Sequence, residues 1–446
     1  MSIPLFLFMT SVTFIDIISS SIIGKYYEKQ FTTIGRAQNF LLISFFSLLH
    51  SFSAGFENLG CVLLEKKEYK KLKKLFNIAI ISNLLLSIFL VAFQMLINPL
   101  IFNKLYDFKI VNYNTYIFYI YMIVPSSIFI SFINVYMRYF SILNKTYVVA
   151  ICFIVGALFN LLFSYVLAVI YKKDIWGLVI SNYLFNIVVL IMFNILSIFF
   201  DDYNKKEYKV KFFSRETFNS NDIIKYLKFT FKTFPPLYIL WINVTILSLI
   251  VNKIPDDNQY YSSIIVGNIY AIAYSFLFAY EVSLSISISK HLISYTNLVK
   301  KLLLKTFFIG LVFIFIIMII IFILRYNLFS LFYDNDNKDT HKDIINVSKK
   351  CLNIAILCYF VDFLQITCAG YLRGLGLNHI TIIVTSISSY IITLPMCCIL
   401  VFVYKFGLSA VYISLMIGYI LSLFAYVILI LKVDINYRKE TMLNSC

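Results

Sequence analysis

The stretch DFLQITCAGYLRGLG, Asp362 to Gly376, places an acid, an amide, an arginine and three glycines between apolar runs. What surrounds it decides how it is read. The chain has 446 residues, of which 61% are hydrophobic and only 13% charged. A soluble domain cannot hide that much apolar surface, so lipid is the solvent. Ten windows free of Asp, Glu, Lys and Arg run along the chain, from Ala37–Phe56 to Phe406–Leu431. Each is about as long as the roughly 20 residues of a spanning helix. Two further windows each contain one acid: Ser2–Gly24 with Asp16, and Cys351–Arg373 with Asp362. The expected fold is therefore an all-α polytopic membrane protein of about twelve transmembrane helices. Barrel strands would be about half as long and would alternate, which these runs do not.

Outward from the windows, charge sets the orientation. The net charge of +16 is not a nucleic-acid footprint, because the basic residues gather in alternate loops. Six of them lie in Lys66–Lys74 and seven in Lys205–Lys228. An excess of Lys and Arg marks cytoplasmic loops, so both termini are expected in the cytoplasm. The first helix starts without a basic leader or a small-residue cleavage site, and reads as a span. The eight cysteines are scattered among apolar residues and the four histidines form no metal-ligand spacing. No metal, cofactor or catalytic constellation is expected. No nucleotide-binding glycine loop is present either, so ATP-driven transport within this chain has no support.

The chain reads as two halves. The longest polar stretch between spans, 201–228, divides an N-lobe of six helices (1–200) from a C-lobe of six (229–446). The halves echo each other. FSAGFENLGCVLLEKKEYKKLKK from Phe52 parallels FLFAYEVSLSISISKHLISYTNLVKK from Phe276, and RYFSILNKTYVV from Arg138 parallels RGLGLNHITIIV from Arg373. Glu57 thus corresponds to Glu281 and Arg138 to Arg373. Parallel repeats with a binding site near the midplane are a transporter architecture.

Written as a pattern, the opening stretch is Asp-x-x-Gln-x4-Gly-x2-Arg-Gly-x-Gly. Asp362, Gln365, Gly370, Arg373, Gly374 and Gly376 resemble the tenth-helix signature of eukaryotic multidrug and toxic compound extrusion (MATE) transporters. Other pieces follow in the same order. Glu57, Leu59 and Tyr69 resemble the family's second-helix segment. Pro125 and Arg138 resemble its fourth-helix proline and the arginine that ends that helix. Tyr390 and Pro395 resemble its eleventh-helix segment, and Gly407 and Tyr412 the start of its last helix. The resemblance implies two six-helix lobes and export of organic cations or other amphipathic solutes in exchange for protons or sodium (H+ or Na+). It implies no other cofactor. The departures concern coupling. The family's seventh helix carries paired acids, and here LWINVT, Leu240–Thr245, has none. Val62 and Glu65-Lys66 replace the usual second-helix residues, and Ser287, Lys290 and Ile293 those of the eighth.

The residues carry their own chemistry beside the resemblance. A carboxylate within a bilayer is a functional-site hypothesis by default. Burial favours the proton-carrying form of a carboxyl, which lets substrate cation and proton compete for one group. Asp362 falls about 17 Å into its span at 1.5 Å per residue, near the middle of the hydrocarbon. Gln365, one turn on, can orient that carboxylate or bond a ligand. Asp16 sits mid-span in helix 1, in a context similar to the first-helix acid of bacterial relatives. Asn243 stands where the family places its seventh-helix acids. These four are the transport and coupling candidates. Glu57, Glu281, Arg138 and Arg373 read as ion pairs or gates. Gly370, Gly374, Gly376 and Pro395 read as points of close helix contact or bending. The expected partners are a small organic solute and the lipid bilayer, in the plasma membrane or an organelle membrane, with the protein acting as a monomer. A lipid-linked or polysaccharide flippase, and a non-transporting membrane protein, are the competing readings.

Overall fold

The structure is a computed structural model and describes residues 2–41, 46–105, 111–200, 220–254, 256–294, 296–333 and 341–434. Every regular element among them is helical. In chain order the helices are α1 (Ser2–Tyr26), α2 (Glu28–Leu41), α3 (Ser47–Glu65), α4 (Tyr69–Leu105), α5 (Tyr113–Ile123), α6 (Ser127–Ile142), α7 (Thr146–Ser164) and α8 (Asp174–Phe200). There follow α9 (Ser220–Asn252), α10 (Asp257–Ser294), α11 (Thr296–Phe329), α12 (Lys342–Gly374), α13 (Asn378–Ser386), α14 (Leu394–Cys398) and α15 (Ser409–Lys432).

Ten stretches among the described residues are long and apolar enough to cross a membrane, beginning with Ile3–Tyr26 and ending with Ser409–Lys432. The other two of the twelve expected spans are described only in part. Residues 42–45, in the middle of the second, lie outside the described residues. The helix before them, α2, carries Glu28, Lys29 and Arg36. In the seventh, Ile242–Asn252 is the apolar helical part among the fully described residues. The most exposed apolar face belongs to α11, where Phe308, Ile309, Val312, Ile319 and Ile323 face outward. Such a row on one long helix is what lipid contact requires.

Prolines punctuate two spans. Pro125 lies in a 3₁₀ turn, Val124–Ser126, that joins α5 to α6. Pro395 lies at the start of α14, which is flanked by π-helical segments Ile387–Thr393 and Ile399–Val403. Proline lacks the N–H of the i to i−4 ladder, and the helix absorbs the loss by changing its winding locally.

The chain divides into two compact units, Phe14–Thr245 and Met1–Thr13 with Ile246–Cys446. In the first, Phe56, Leu72, Ile78, Val135, Tyr139, Ile142 and Tyr226 form a buried cluster. Tyr226 comes from the stretch expected to be an inter-lobe loop. Residues 201–219 of that stretch lie outside the described residues, and from Ser220 onward it is already α9. The reason is amphipathic spacing: Ile223, Tyr226 and Leu227 line one face of α9 and pack in this cluster. Lys74 ties the same turns down through Asp222 at 2.6 Å.

In the second unit α12 packs against α10 and α15. The glycines of the opening stretch account for how closely. A side-chain carbon at Gly374 would stand 2.5 Å from Ile288 Cβ and 2.8 Å from the Ser285 carbonyl oxygen. One at Gly370 would stand 3.2 Å from the Glu281 carbonyl oxygen. Across the same seam Ser289 donates to the Gly374 carbonyl at 2.9 Å and Tyr359 to the Ala273 carbonyl at 2.8 Å. Gly376 has a separate task. With φ +77° it reverses the chain after α12. The Leu377 N–H bonds the Leu372 carbonyl at 3.0 Å and the Gly376 N–H that of Arg373 at 2.9 Å. This is a Schellman cap, in which the left-handed residue is normally glycine. Leu372 and Leu377 pack in one buried cluster, supplying its apolar contact.

The seam makes a stability prediction. Gly374→Ala forces a carbon against Ile288, which is fully buried and has no free end to swing away. We expect a loss of about 1–3 kcal/mol, read as a lower melting temperature of the purified protein. Gly370→Ala should be milder, because the gap there is wider. Equal melting for Gly374→Ala and wild type would refute close packing at the seam.

Candidate transport and coupling site

Asp362 lies midway along α12 and is 2% exposed. The Tyr270 hydroxyl donates to its Oδ2 at 3.1 Å. Tyrosines surround the pair. The Tyr359 ring meets that of Tyr270 edge-on at 6.1 Å, Tyr412 lies 6.2 Å from it, and Tyr274 stacks one turn along α10 at 6.5 Å. Tyr419 lies near Tyr270 as well. Tyr412 and Tyr419 share one face of α15 at a spacing of seven. A carboxyl this deep needs partners, and these hydroxyls provide them.

Gln365 is buried on the same helix, near Tyr426. The Tyr426 hydroxyl in turn donates to the Thr381 carbonyl at 3.0 Å and lies 2.6 Å from Thr385 Oγ1. This carries polar contacts from the middle of α12 toward its end, where Arg373 Nε donates to Thr381 Oγ1 at 3.4 Å. Arg373 pairs with Glu281 of α10 at 2.9 Å. Gly370 makes room for the Glu281 stem.

The other unit repeats the motif. Arg138 of α6 pairs with Glu57 of α3. It also meets Ser53 Oγ at 3.4 Å and His50 Nε2 at 3.0 Å. Each glutamate is thus bonded to the arginine of its own half. Asp16, half-buried in α1, acts electrostatically on Tyr119, whose hydroxyl accepts from Gln38 at 3.1 Å. Asn243 of α9 is 5% exposed, and its Oδ1 has no hydrogen-bond partner among the described residues.

Of the residues singled out from sequence, the structure therefore joins Glu57 to Arg138 and Glu281 to Arg373, and sets Gly370 against Glu281. Pro395 lies at the winding change described above. Sequence reasoning missed Tyr270, Tyr274, Tyr359, Tyr412 and Tyr419 around Asp362, and His50 and Ser53 beside Arg138. The one available signal was on α10, where Tyr270, Tyr274 and Glu281 recur at i, i+4 and i+11 on one helical face.

Intramembrane acids, amides and paired charges, set twice over on a polytopic helical frame, define a transporter-class site. The MatE family model matches residues 4–166 and again 237–399, and the chain belongs to the MatE family. Both matches span one length and lie 233 residues apart, so the halves are matched as repeats. Among solved structures, the eukaryotic MATE transporter AtDTX14 is similar at 15% identity, with a TM-score of 0.81, over 99% of this chain and 96% of that one. An inward-facing multidrug resistance MATE transporter of the MOP superfamily is similar at 13% identity and a TM-score of 0.75, over 96% of each chain. A mutant of the Vibrio cholerae MATE transporter VcmN is similar at 13% identity and a TM-score of 0.71, over 99% of this chain and 95% of that one. No curated protein matches the sequence. The protein is a MATE-type efflux transporter with the MATE fold, an integral multi-pass membrane protein and not an enzyme.

Proposed function

We propose that this transporter is a secondary antiporter. It exports organic cations or other amphipathic solutes in exchange for protons or sodium, by alternating access. The observation that carries the reading is Asp362, a nearly inaccessible acid whose contacts include a tyrosine hydroxyl and aromatic rings. A buried carboxyl alternates between holding a proton and facing a cation. Tyrosine faces attract a cation that a bare carboxylate alone would hold only weakly in water. Gln365, Asp16 and Asn243 are proposed to serve the same cycle by hydrogen-bonding or charging the permeation path. The paired Glu57–Arg138 and Glu281–Arg373, the glycines 370, 374 and 376, and Pro395 are proposed to support the moving helices.

The proposed lobes are 1–200 and 229–446, joined by the segment 201–228, which is helical from Ser220 onward. Both termini are proposed to lie in the cytoplasm, which the basic loops support. The protein is proposed to act as a monomer in the plasma membrane or an organelle membrane.

The test is uptake of ethidium, a fluorescent organic cation, into proteoliposomes under an imposed proton gradient or an imposed sodium gradient. Uptake driven by one gradient and abolished when it is collapsed is the expected result, and it identifies the ion. A folded protein that moves ethidium under neither gradient would overturn the organic-cation reading.

A further inference from the structure

The α10–α12 seam holds a second buried carboxylate. α10 and α12 run parallel along it. Tyr270 faces Asp362 at one level, and eleven residues further along each helix Glu281 faces Arg373. Tyr270, Tyr274 and Glu281 share one face of α10, and Asp362, Gly370 and Arg373 share the facing stripe of α12. Helical side chains lean toward the N-terminus of their helix, so Glu281 leans back along the seam toward Asp362. Gly370, eight residues past Asp362, has no side chain to block it. The two carboxyls are therefore held at about 12 Å or less along the helix axis. Glu281 is itself 7% exposed, and its charge acts on Asp362 and on Tyr274 between them.

We propose that Glu281 is the second carboxylate of the coupling site, sharing proton occupancy with Asp362 along the α10–α12 seam, with Arg373 as the fixed counter-charge. This rests on Asp362 being the proton carrier. It also answers the missing seventh-helix acids: the partner carboxylate comes from α10. The other titratable groups facing Asp362 are Tyr270 and Tyr274 from α10, Cys358 and Tyr359 from α12, and Tyr419 from α15. From α11 the same cluster receives apolar side chains such as Ile314 and Phe307. When Glu281 holds the proton, its second oxygen still accepts from Arg373, so the ion pair becomes a hydrogen bond and is not lost.

Two charges at about 12 Å, at an effective dielectric of about 20, move each other's titration midpoint by about one pH unit. The experiment follows the protonated-carboxyl infrared band of the full-length protein in liposomes across pH. Parallel samples carry carbon-13 in either aspartate or glutamate. Among the aspartate signals we expect a component that is lost in Asp362→Asn, and among the glutamate signals a component that is lost in Glu281→Gln. Each loss should move the other component's midpoint by about one pH unit, because coupling is reciprocal. If Glu281→Gln does not fold, Glu281→Asp serves, since it transfers the component from the glutamate-labelled to the aspartate-labelled sample. A glutamate-labelled sample that loses no titrating component in Glu281→Gln, and an Asp362 midpoint unmoved by either Glu281 variant, would leave Glu281 a plain ion-pair partner and overturn the inference. If no component disappears in Asp362→Asn, the reading of Asp362 itself fails, and this result separates the two failures.

Discussion

Asp362→Asn is expected to reduce gradient-driven uptake to background while the protein still inserts and melts as wild type does. The structural half of that expectation follows from the hydrogen bond. Tyr270 donates to Asp362 Oδ2, and an asparagine Oδ1 accepts from the same hydroxyl with the same shape. The substitution therefore leaves the buried Tyr270 hydroxyl with an acceptor, and no penalty for an unmade bond arises there. The functional half follows from charge. An amide neither takes up nor releases a proton, so the variant has one state where the carboxyl has two. A ligand moves an equilibrium only by its differential affinity for two states, and the variant offers the proton no such difference. The measurement is ethidium uptake beside melting of the same preparation. Wild-type uptake in a well-folded Asp362→Asn protein would remove Asp362 from the coupling step.

That Asp362 was visible in the sequence has a simple cause. An acid within an apolar window of spanning length has few structural explanations, and none of them depends on knowing the fold. The glycines beside it were legible only as points of contact or bending. The structure separates them: Gly370 and Gly374 admit α10, whereas Gly376 takes the left-handed conformation that ends the helix. Nothing in the spacing alone distinguishes the two tasks. Of the tyrosine shell only the Tyr270 and Tyr274 spacing on α10 was legible. The chain has 34 tyrosines, and the five around Asp362 come from three helices whose packing the sequence does not state. The span count was legible in its apolar windows and blurred where charge intrudes. α9 begins with polar turns that serve the buried cluster of one unit before its apolar part starts. The repeat showed that Glu57 corresponds to Glu281 and Arg138 to Arg373. It did not show that the glutamate and arginine of each half bond one another, because they are 81 residues apart in the first half and farther apart in the second.

Those two pairs support the second large effect. Arg373→Met should destabilise the protein by about 3 kcal/mol, near the lower end of what breaking a buried pair costs. The Glu281 side chain is 9% exposed, so its carboxylate loses its counter-ion where water cannot replace it; Arg373, at 27%, is partly screened already, which keeps the figure low. The packing loss is small, because a methionine stem follows the aliphatic part of the arginine. Adding Glu281→Leu to Arg373→Met should recover most of the loss, since no unpaired charge then remains, even though neither native side chain has returned. Arg138→Met offers the internal comparison. It removes three partners, Glu57, Ser53 and His50, but the Glu57 side chain is 32% exposed and its carboxylate is better hydrated. Its loss should therefore be smaller than that of Arg373→Met, although Arg138 makes the more numerous contacts. The check is a set of melting curves for the two single variants and the double. If Arg138→Met proves the worse, contact number outweighs burial at these pairs. If the double variant melts no higher than Arg373→Met, the loss lies in packing at the end of α12 and not in a stranded charge.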